Sequence, residues 1–376
     1  MSKVETASSG FGATEDTGSP RRLWFFALGL CSLMLVHHFG LWAWTAHRRG
    51  FPLLQGLLHW DSSFYSTIAT QGYTPYQWAF LPLYPMTVRL VRALLGGAVP
   101  PQVVGCVLSS VCLLAFVFWA QRRGLERDNV FPLAPRTMWG WFFFLYTPAS
   151  YALHSHHTEG LFLLLSLGAF LSAWDERFWL TALFAGLCVW TRNQGMFVAA
   201  VAALLLAERA QGGRERLIRF AGVGALTLAA FGGLLAVEWI DTGDALAHFH
   251  AQANWQHVDS AWGALRTLWY GNPGQHLGGW SLRRGIFFAL LLALSVAMLR
   301  KSWPLALYGL LSLVVMLPQG DFSNAFRFGA VLFPLLFLLG DWLATWPAWL
   351  RWPVAGYILV FNHKVTHGFI IGVWAY

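Results

Sequence analysis

Residues 59–92 read HWDSSFYSTIATQGYTPYQWAFLPLYPMTVRLVR. The stretch follows the first long apolar segment of the chain, is crowded with aromatics and carries one acidic residue, Asp61. Whether its second half crosses a membrane decides how the rest of the chain is arranged. On a helical wheel over 80–97, Arg89 and Arg92 share one narrow face, and Leu83, Met86, Leu90, Val91 and Leu94 cover the remainder. That pattern suits a helix lying in a membrane interface, because two Arg inside a spanning helix are costly. With 80–97 left on the surface, the basic loops fall on the inner side, as the positive-inside rule requires. Those loops hold Arg122, Arg123, Arg127 and Arg136; Arg177; Arg209, Arg214, Arg216 and Arg219; Arg300 and Lys301; and Arg351. Asp61, the segment 154–159, the loop 241–283 and the segment 321–327 then all fall on the outer side.

Composition points the same way. Of 376 residues, 57% are hydrophobic and 11% are charged, with a mean hydropathy of +0.51; soluble domains carry about 25% charged residues. The expected fold class is an all-α polytopic membrane protein, a multi-helix transmembrane bundle of about 11 spans. Candidate spans lie near 23–45, 102–120, 138–153, 159–174, 178–192, 195–207, 218–240, 284–300, 303–318, 327–345 and 354–372. Residues 1–22 read as a disordered inner tail, and 23–376 as one integral-membrane domain with outer loops at 46–100 and 241–283. The 22 Trp and 10 Tyr fit an extensive interface with lipid headgroups. The formal charge of +8 is accounted for by the loop arginines, so no nucleic-acid partner is implied. Cys31, Cys106, Cys112 and Cys188 lie inside apolar segments without metal-ligand spacing and read as packing residues. No Walker or Rossmann glycine pattern is present, so a soluble nucleotide has no recognisable cradle.

Five polar constellations are candidates for chemistry. Asp61 is either a general base for a hydroxyl or a helix cap ahead of Ser62-Ser63-Phe64. The run His154-Ser155-His156-His157-Thr158-Glu159 could bind a metal, although its spacing matches no standard zinc pattern; it could equally form a polar turn at a helix N-terminus or donate hydrogen bonds to a phosphate or sugar. Thr191-Arg192-Asn193-Gln194-Gly195 forms a polar break between two short apolar pieces, the kind of interruption tolerated where it lines a cavity. Arg192 could meet a lipid phosphate or form an ion pair with Asp61 or Glu159. The loop after Asp241 carries His248, His250, Gln252, Trp255 and His257 among aromatics, either an acceptor surface or an amphipathic helix on the membrane. Arg327 opens a span from the outer side, either to clamp a phosphate or to anchor at headgroups.

Trp60-Asp61, Tyr65, Ile68-Ala69, Gly72-Tyr73 and Ala79-Phe80-Leu81-Pro82-Leu83-Tyr84-Pro85 resemble the first signature of the PIG-V type mannosyltransferases, with Leu81 in place of a second Phe. Thr158-Glu159-Gly160-Leu161-Phe162 resembles the family's T-E-S-L-F, with Gly160 for Ser. Arg192-Asn193-Gln194-Gly195 resembles R-S-N-G, with Asn193-Gln194 standing where Ser-Asn is usual. Gln252, Trp255, Arg327 and Pro334 resemble later family positions. The resemblance implies the fold of the lipid-dependent (GT-C class) glycosyltransferases. It implies inverting transfer of mannose from a polyprenyl-phosphate-mannose donor to a glycolipid or glycan hydroxyl, with Asp61 as base. Trp60, Tyr65, His154, His157, Glu159, Arg192, Asn193, Gln252, Trp255 and Arg327 would bind substrate, without cofactor or metal. It further implies a bacterial plasma-membrane enzyme working among membrane lipids on the outer face, or an endoplasmic-reticulum enzyme if eukaryotic. The alternative class is a glycolipid transporter or flippase, although no inverted repeat is visible; metal-dependent hydrolysis at the His cluster is a third.

Overall fold

The computed structural model describes residues 20–126, 132–253, 280–317, 322 and 324–373. Among them the chain forms helices and no strand, as the apolar composition predicts. In chain order the helices are α1 (Pro20–Arg49), α2 (Asp61–Gln71), α3 (Leu83–Leu94), α4 (Pro101–Glu126), α5 (Met138–Leu145), α6 (Glu159–Trp174), α7 (Phe178–Val189), α8 (Gly195–Glu208), α9 (Gly213–Thr242), α10 (Ala247–Ala253), α11 (Trp280–Met298), α12 (Trp303–Met316), α13 (Ala325–Ala330), α14 (Phe333–Leu343) and α15 (Ala348–Ile370).

Among the described residues three helices are, by length and composition, able to cross a membrane: Arg22–Arg49, Pro101–Leu125 and Gly213–Thr242. Shorter apolar helices occupy Glu159–Trp174, Phe178–Val189, Gly195–Glu208, Trp303–Met316 and Phe333–Leu343. The division of labour follows burial. Only 22% of the apolar window of α1 and 17% of that of α9 are buried, so these helices turn most of their apolar surface outward. The short helices make the interior: Phe162, Leu163, Leu167 and Phe170 of α6, Leu206 of α8 and Phe333 of α14 are fully buried. Aromatic rings tie this core together, with Phe116 of α4 edge-on to Phe333 at 5.1 Å and Phe170 edge-on to Tyr308 at 5.5 Å.

Two expected spans are interrupted. The segment 138–153 stops as an α-helix at Leu145 and resumes only as a 3-10 turn over Ser150–Leu153. Pro148 explains this, because a proline disfavours helical backbone in the residue before it. The segment 327–345 splits into α13 and α14, with Pro334 in the first turn of the second piece. The segment 80–97 becomes α3, whose 12 residues reach roughly 18 Å, short of the roughly 30 Å of a bilayer core. Tyr84, Pro85 and Val88 of α3 are buried, while Arg89 and Leu90 are exposed.

Candidate active site

Residues 72–84 are tied to four other parts of the structure. Tyr73 donates to Phe80 O (2.7 Å) and stacks on Trp78 at 4.2 Å. Trp78 Nε1 donates to Asp241 Oδ2 at the end of α9 (2.9 Å), and Leu83 N donates to Trp190 O at the end of α7 (3.0 Å). Tyr84 hydroxyl sits within hydrogen-bonding distance of Gly105 O, Ser109 Oγ and His156 Nδ1. The loop of 72–84 therefore fastens α4, α7, α9 and the 154–159 turn to one point.

Asp61 is the first residue of α2, not its cap. The cap is Trp60, which makes no side-chain cap hydrogen bond. The reading of Asp61 as a helix cap is thereby corrected: Ser62 and Ser63 hydroxyls fold back onto the His59 and Trp60 carbonyls (2.7 Å each), and the Asp61 carboxylate turns away to Arg327. Trp60 holds φ +55°, a left-handed conformation that is costly for a bulky residue. Phe322, shortly before Arg327, is likewise left-handed at φ +56°. Such strained positions persist only where surrounding contacts enforce them, and they concentrate at functional sites.

Four charges form an alternating chain. Asp61 Oδ2 accepts from Arg327 Nη1, Arg327 Nε donates to Glu159 Oε1, and the same Glu159 oxygen accepts from Arg192 Nη1 at 2.5 Å. Side-chain exposure is 17% for Asp61, 4% for Arg327, 0% for Glu159 and 8% for Arg192. Two carboxylates thus match two guanidiniums in a region where an uncompensated charge would cost several kcal/mol. Arg192 also donates to Thr158 Oγ1 (2.8 Å) and packs its guanidinium over Phe328 at 5.3 Å. Local sequence explains the placement. Glu159 stands in the first turn of α6, where negative charge is favoured. Arg192 sits in the break between α7 and α8, which can close only around a glycine: a Cβ on Gly195 would lie 2.1 Å from Cys188 O. Gly160 has a similar cause, since its Cβ would meet Leu153 O at 2.4 Å and Ser109 O at 2.6 Å. A serine there would not fit this backbone.

The chain faces a cavity of about 140 Å³ lined by Asp61, Tyr65, Ala79, Phe80, Leu81, Thr158, Thr191, Arg192, Asn193, Gln194, Gln252, Val315, Asn324, Arg327 and Phe328. Pockets for small ligands usually measure about 300–1,000 Å³, so this one suits a reacting group rather than a whole lipid-linked substrate. Of the residues expected at the site, Asp61, Tyr65, Arg192, Asn193, Gln252 and Arg327 line it, and Glu159 joins its two arginines from behind. Gln252 Nε2 donates to Ala79 O (2.8 Å). Trp60 is 36% exposed at the entry to α2 and is absent from the lining. Trp255 and His257 lie outside the described residues.

The histidines do not gather at the cavity. His154 Nε2 meets His38 Nδ1 of α1 (2.7 Å), and His38 Nε2 meets Asn362 Oδ1 of α15 (2.8 Å). Asn362 Nδ2 donates to Thr147 O and Ser150 Oγ (2.8 Å each), which fixes its oxygen toward the imidazole. His38 Nε2 therefore carries the proton, and His154 Nε2 donates to His38 Nδ1. His156 turns to Tyr84, in a slot that exists because residue 105 is glycine; a Cβ there would lie 1.8 Å from the ring. His157 pairs with Ser155 Oγ at 2.8 Å. In this turn between helices, burial pushes His156 down to about 3 and, with Arg327 adding to the effect, holds His157 well below the usual imidazole range. These rings are neutral positioning groups, and a cationic phosphate contact from them is disfavoured. Among the described residues no three His, Cys, Asp or Glu side chains converge to hold a metal ion.

Sequence reasoning gave Thr158, Gln194 and Asn324 no role of their own, although Thr158 lies in the 154–159 run and Gln194 in the polar break. Against known proteins, residues 49–212 match the family described as Mannosyltransferase (PIG-V), a region that holds Asp61, Glu159 and Arg192. The chain is 28% identical over 152 residues to the GPI alpha-1,6-mannosyltransferase 2 of Homo sapiens, covering 38% of this chain and 30% of that protein. No solved structure matches.

Proposed function

We propose that this PIG-V-like chain transfers mannose from a polyprenyl-phosphate-mannose donor to a hydroxyl of a glycolipid or glycan, inverting the anomeric centre at the outer face of the membrane. The observation that carries the reading is the Asp61–Arg327–Glu159–Arg192 chain at the wall of a cavity, three of its four members lying within the family-matched region.

In this mechanism Asp61 accepts the proton of the acceptor hydroxyl. The hydroxyl oxygen forms the new bond to the anomeric carbon as the bond from that carbon to the phosphate oxygen breaks, and the polyprenyl phosphate leaves with the electron pair. Arg327 links the two events. As Asp61 takes up the proton it loses its charge and its hold on Arg327, while the leaving phosphate gains charge. Arg327 is then released toward the phosphate, with Arg192 behind it. Both cations are already placed and partly dehydrated, the preorganisation that makes electrostatic stabilisation effective. No nucleotide and no metal is required.

The test is direct. Purified protein is given polyprenyl-phosphate-mannose and a detergent extract of membrane lipids, and both mannosylated product and released polyprenyl phosphate are followed. Stoichiometric appearance of the two supports the reading. Movement of the donor across a vesicle membrane with no new glycosidic bond would replace it with a transporter.

A further inference from the structure

Gln194 is anomalous for a buried residue. It is 2% exposed, it lines the cavity, and neither Oε1 nor Nε2 has a hydrogen-bond partner among the described residues. It occupies the cap position of α8 but makes no side-chain cap hydrogen bond. The first amides of that helix are served by backbone instead: Phe197 N and Val198 N both donate to Gln194 O (3.1 Å each). The side-chain amide is therefore left without a structural task. In the lining of the same cavity the Asn324 Oδ1 is also buried without a partner among the described residues. Native proteins rarely leave such groups unmatched unless something else completes them.

The chemistry of the amide narrows what that is. A phosphate offers only acceptors, so it would satisfy Nε2 and set its charge against Oε1. A hydroxyl both donates and accepts. Two neighbouring hydroxyls satisfy both ends of a Gln amide at once, as Asn and Gln do in bidentate recognition of other paired donor and acceptor groups. From Gln194 and Asn324 we infer that the cavity contains a hydroxyl-reading subsite beside its charged groups, in which Gln194 binds a vicinal diol of a hexose. The inference rests on the reading of the cavity as a sugar-transfer site and adds to it the group that selects the sugar. Arg192 then serves charge and Gln194, two residues on in the same turn, serves identity.

The experiment uses full-length protein in detergent, wild type and Gln194→Leu, a change of similar volume that removes both polar atoms. Thermal stability without ligand comes first. An amide without structural partners predicts an unchanged or raised Tm in the Leu variant; a clear fall overturns the inference, because it reveals a structural role. Binding is then measured for polyprenyl-phosphate-mannose, sugar-free polyprenyl phosphate and methyl α-mannoside. The expected result is a loss of about tenfold or more in affinity for the mannosyl lipid, with the sugar-free lipid unchanged. Loss confined to methyl α-mannoside places the diol on the acceptor rather than the donor and still supports the subsite. An equal loss for the mannosyl and sugar-free lipids overturns the assignment of Gln194 while leaving the proposed function standing. Wild-type protein that binds none of the three overturns both.

Discussion

Replacing Asp61 by Asn tests the proposed base against its structural alternative. The cap role is removed by the geometry, so the competing role is neutralisation of Arg327, and Asn abolishes that as well as the base. The two losses differ in size and in readout. Loss of a general base removes about 10²–10⁴-fold, or roughly 2.7–5.4 kcal/mol of barrier at 1.36 kcal/mol per decade. Loss of the ion pair appears in stability. The Asp61 side chain is 17% exposed and meets an Arg327 that is 4% exposed, so the cost is that of one partly wet charge-assisted bond, about 1.5–3 kcal/mol. After the change, one carboxylate, Glu159, serves two guanidiniums. The double variant Asp61→Asn/Arg327→Gln restores the match, leaving Glu159 with Arg192 alone. Its loss of stability is expected to be smaller than the sum of the two single losses, the non-additivity of groups in contact, while transfer stays at the floor. Transfer is assayed from labelled polyprenyl-phosphate-mannose and stability by thermal unfolding in the same detergent. Near-normal transfer by folded Asp61→Asn would refute the mechanism, as would recovery of transfer in the double variant.

Further expectations follow from other parts of the site. Arg327→Lys keeps the charge but cannot bridge Asp61 and Glu159 with separate nitrogens; a loss of about 10–100-fold in turnover or donor affinity is expected, and wild-type kinetics would reduce Arg327 to an anchor. Transfer should survive EDTA with no stoichiometric zinc in the purified protein, whereas loss with EDTA reversed by one specific metal would overturn the metal-free scheme. Cysteines at Gln71, at the exposed end of α2, and at Ser323 should react with an impermeant thiol reagent from outside and ones at Gly124 and Gly212 should not; outside labelling at Gly124 would mean that α3 crosses. Gly105→Ala should displace the His156 ring and destabilise the protein by about 1–3 kcal/mol, as overpacking does; an unchanged melting temperature would show that the ring relocates freely.

The helical bundle was readable because apolar runs in a charge-poor chain leave few alternatives, and α6, predicted at 159–174, runs over those residues. The interruptions were also encoded, since Pro148 and Pro334 stand where the spans break, but periodicity averages over single residues and hides them. Asp61, Arg192 and Arg327 stand out as isolated charges in apolar surroundings, which made them legible one at a time. Their mutual arrangement was not, because the partners of Arg327 lie 266 and 168 residues away and nothing local records a contact at that distance. The histidines show the opposite error. Three within four residues suggest one site, yet the tight turn aims them at Tyr84, Ser155 and His38 in different directions.

The alternating charge chain has a consequence for biogenesis. As a ribosome delivers this sequence to the membrane, Asp61 emerges first and Glu159 second, and the earliest cationic partner of Glu159, Arg192, follows it by 33 residues. Arg327, which joins Glu159 to Asp61, is made when most of the chain is already inserted, and Asn362, which sets the His38–His154 tautomer, comes later still. The opening segment therefore waits on the last helices for its electrostatic balance. A nascent chain interrupted before residue 327 carries an unmatched carboxylate at Asp61, and the charge chain closes only once Arg327 has been made.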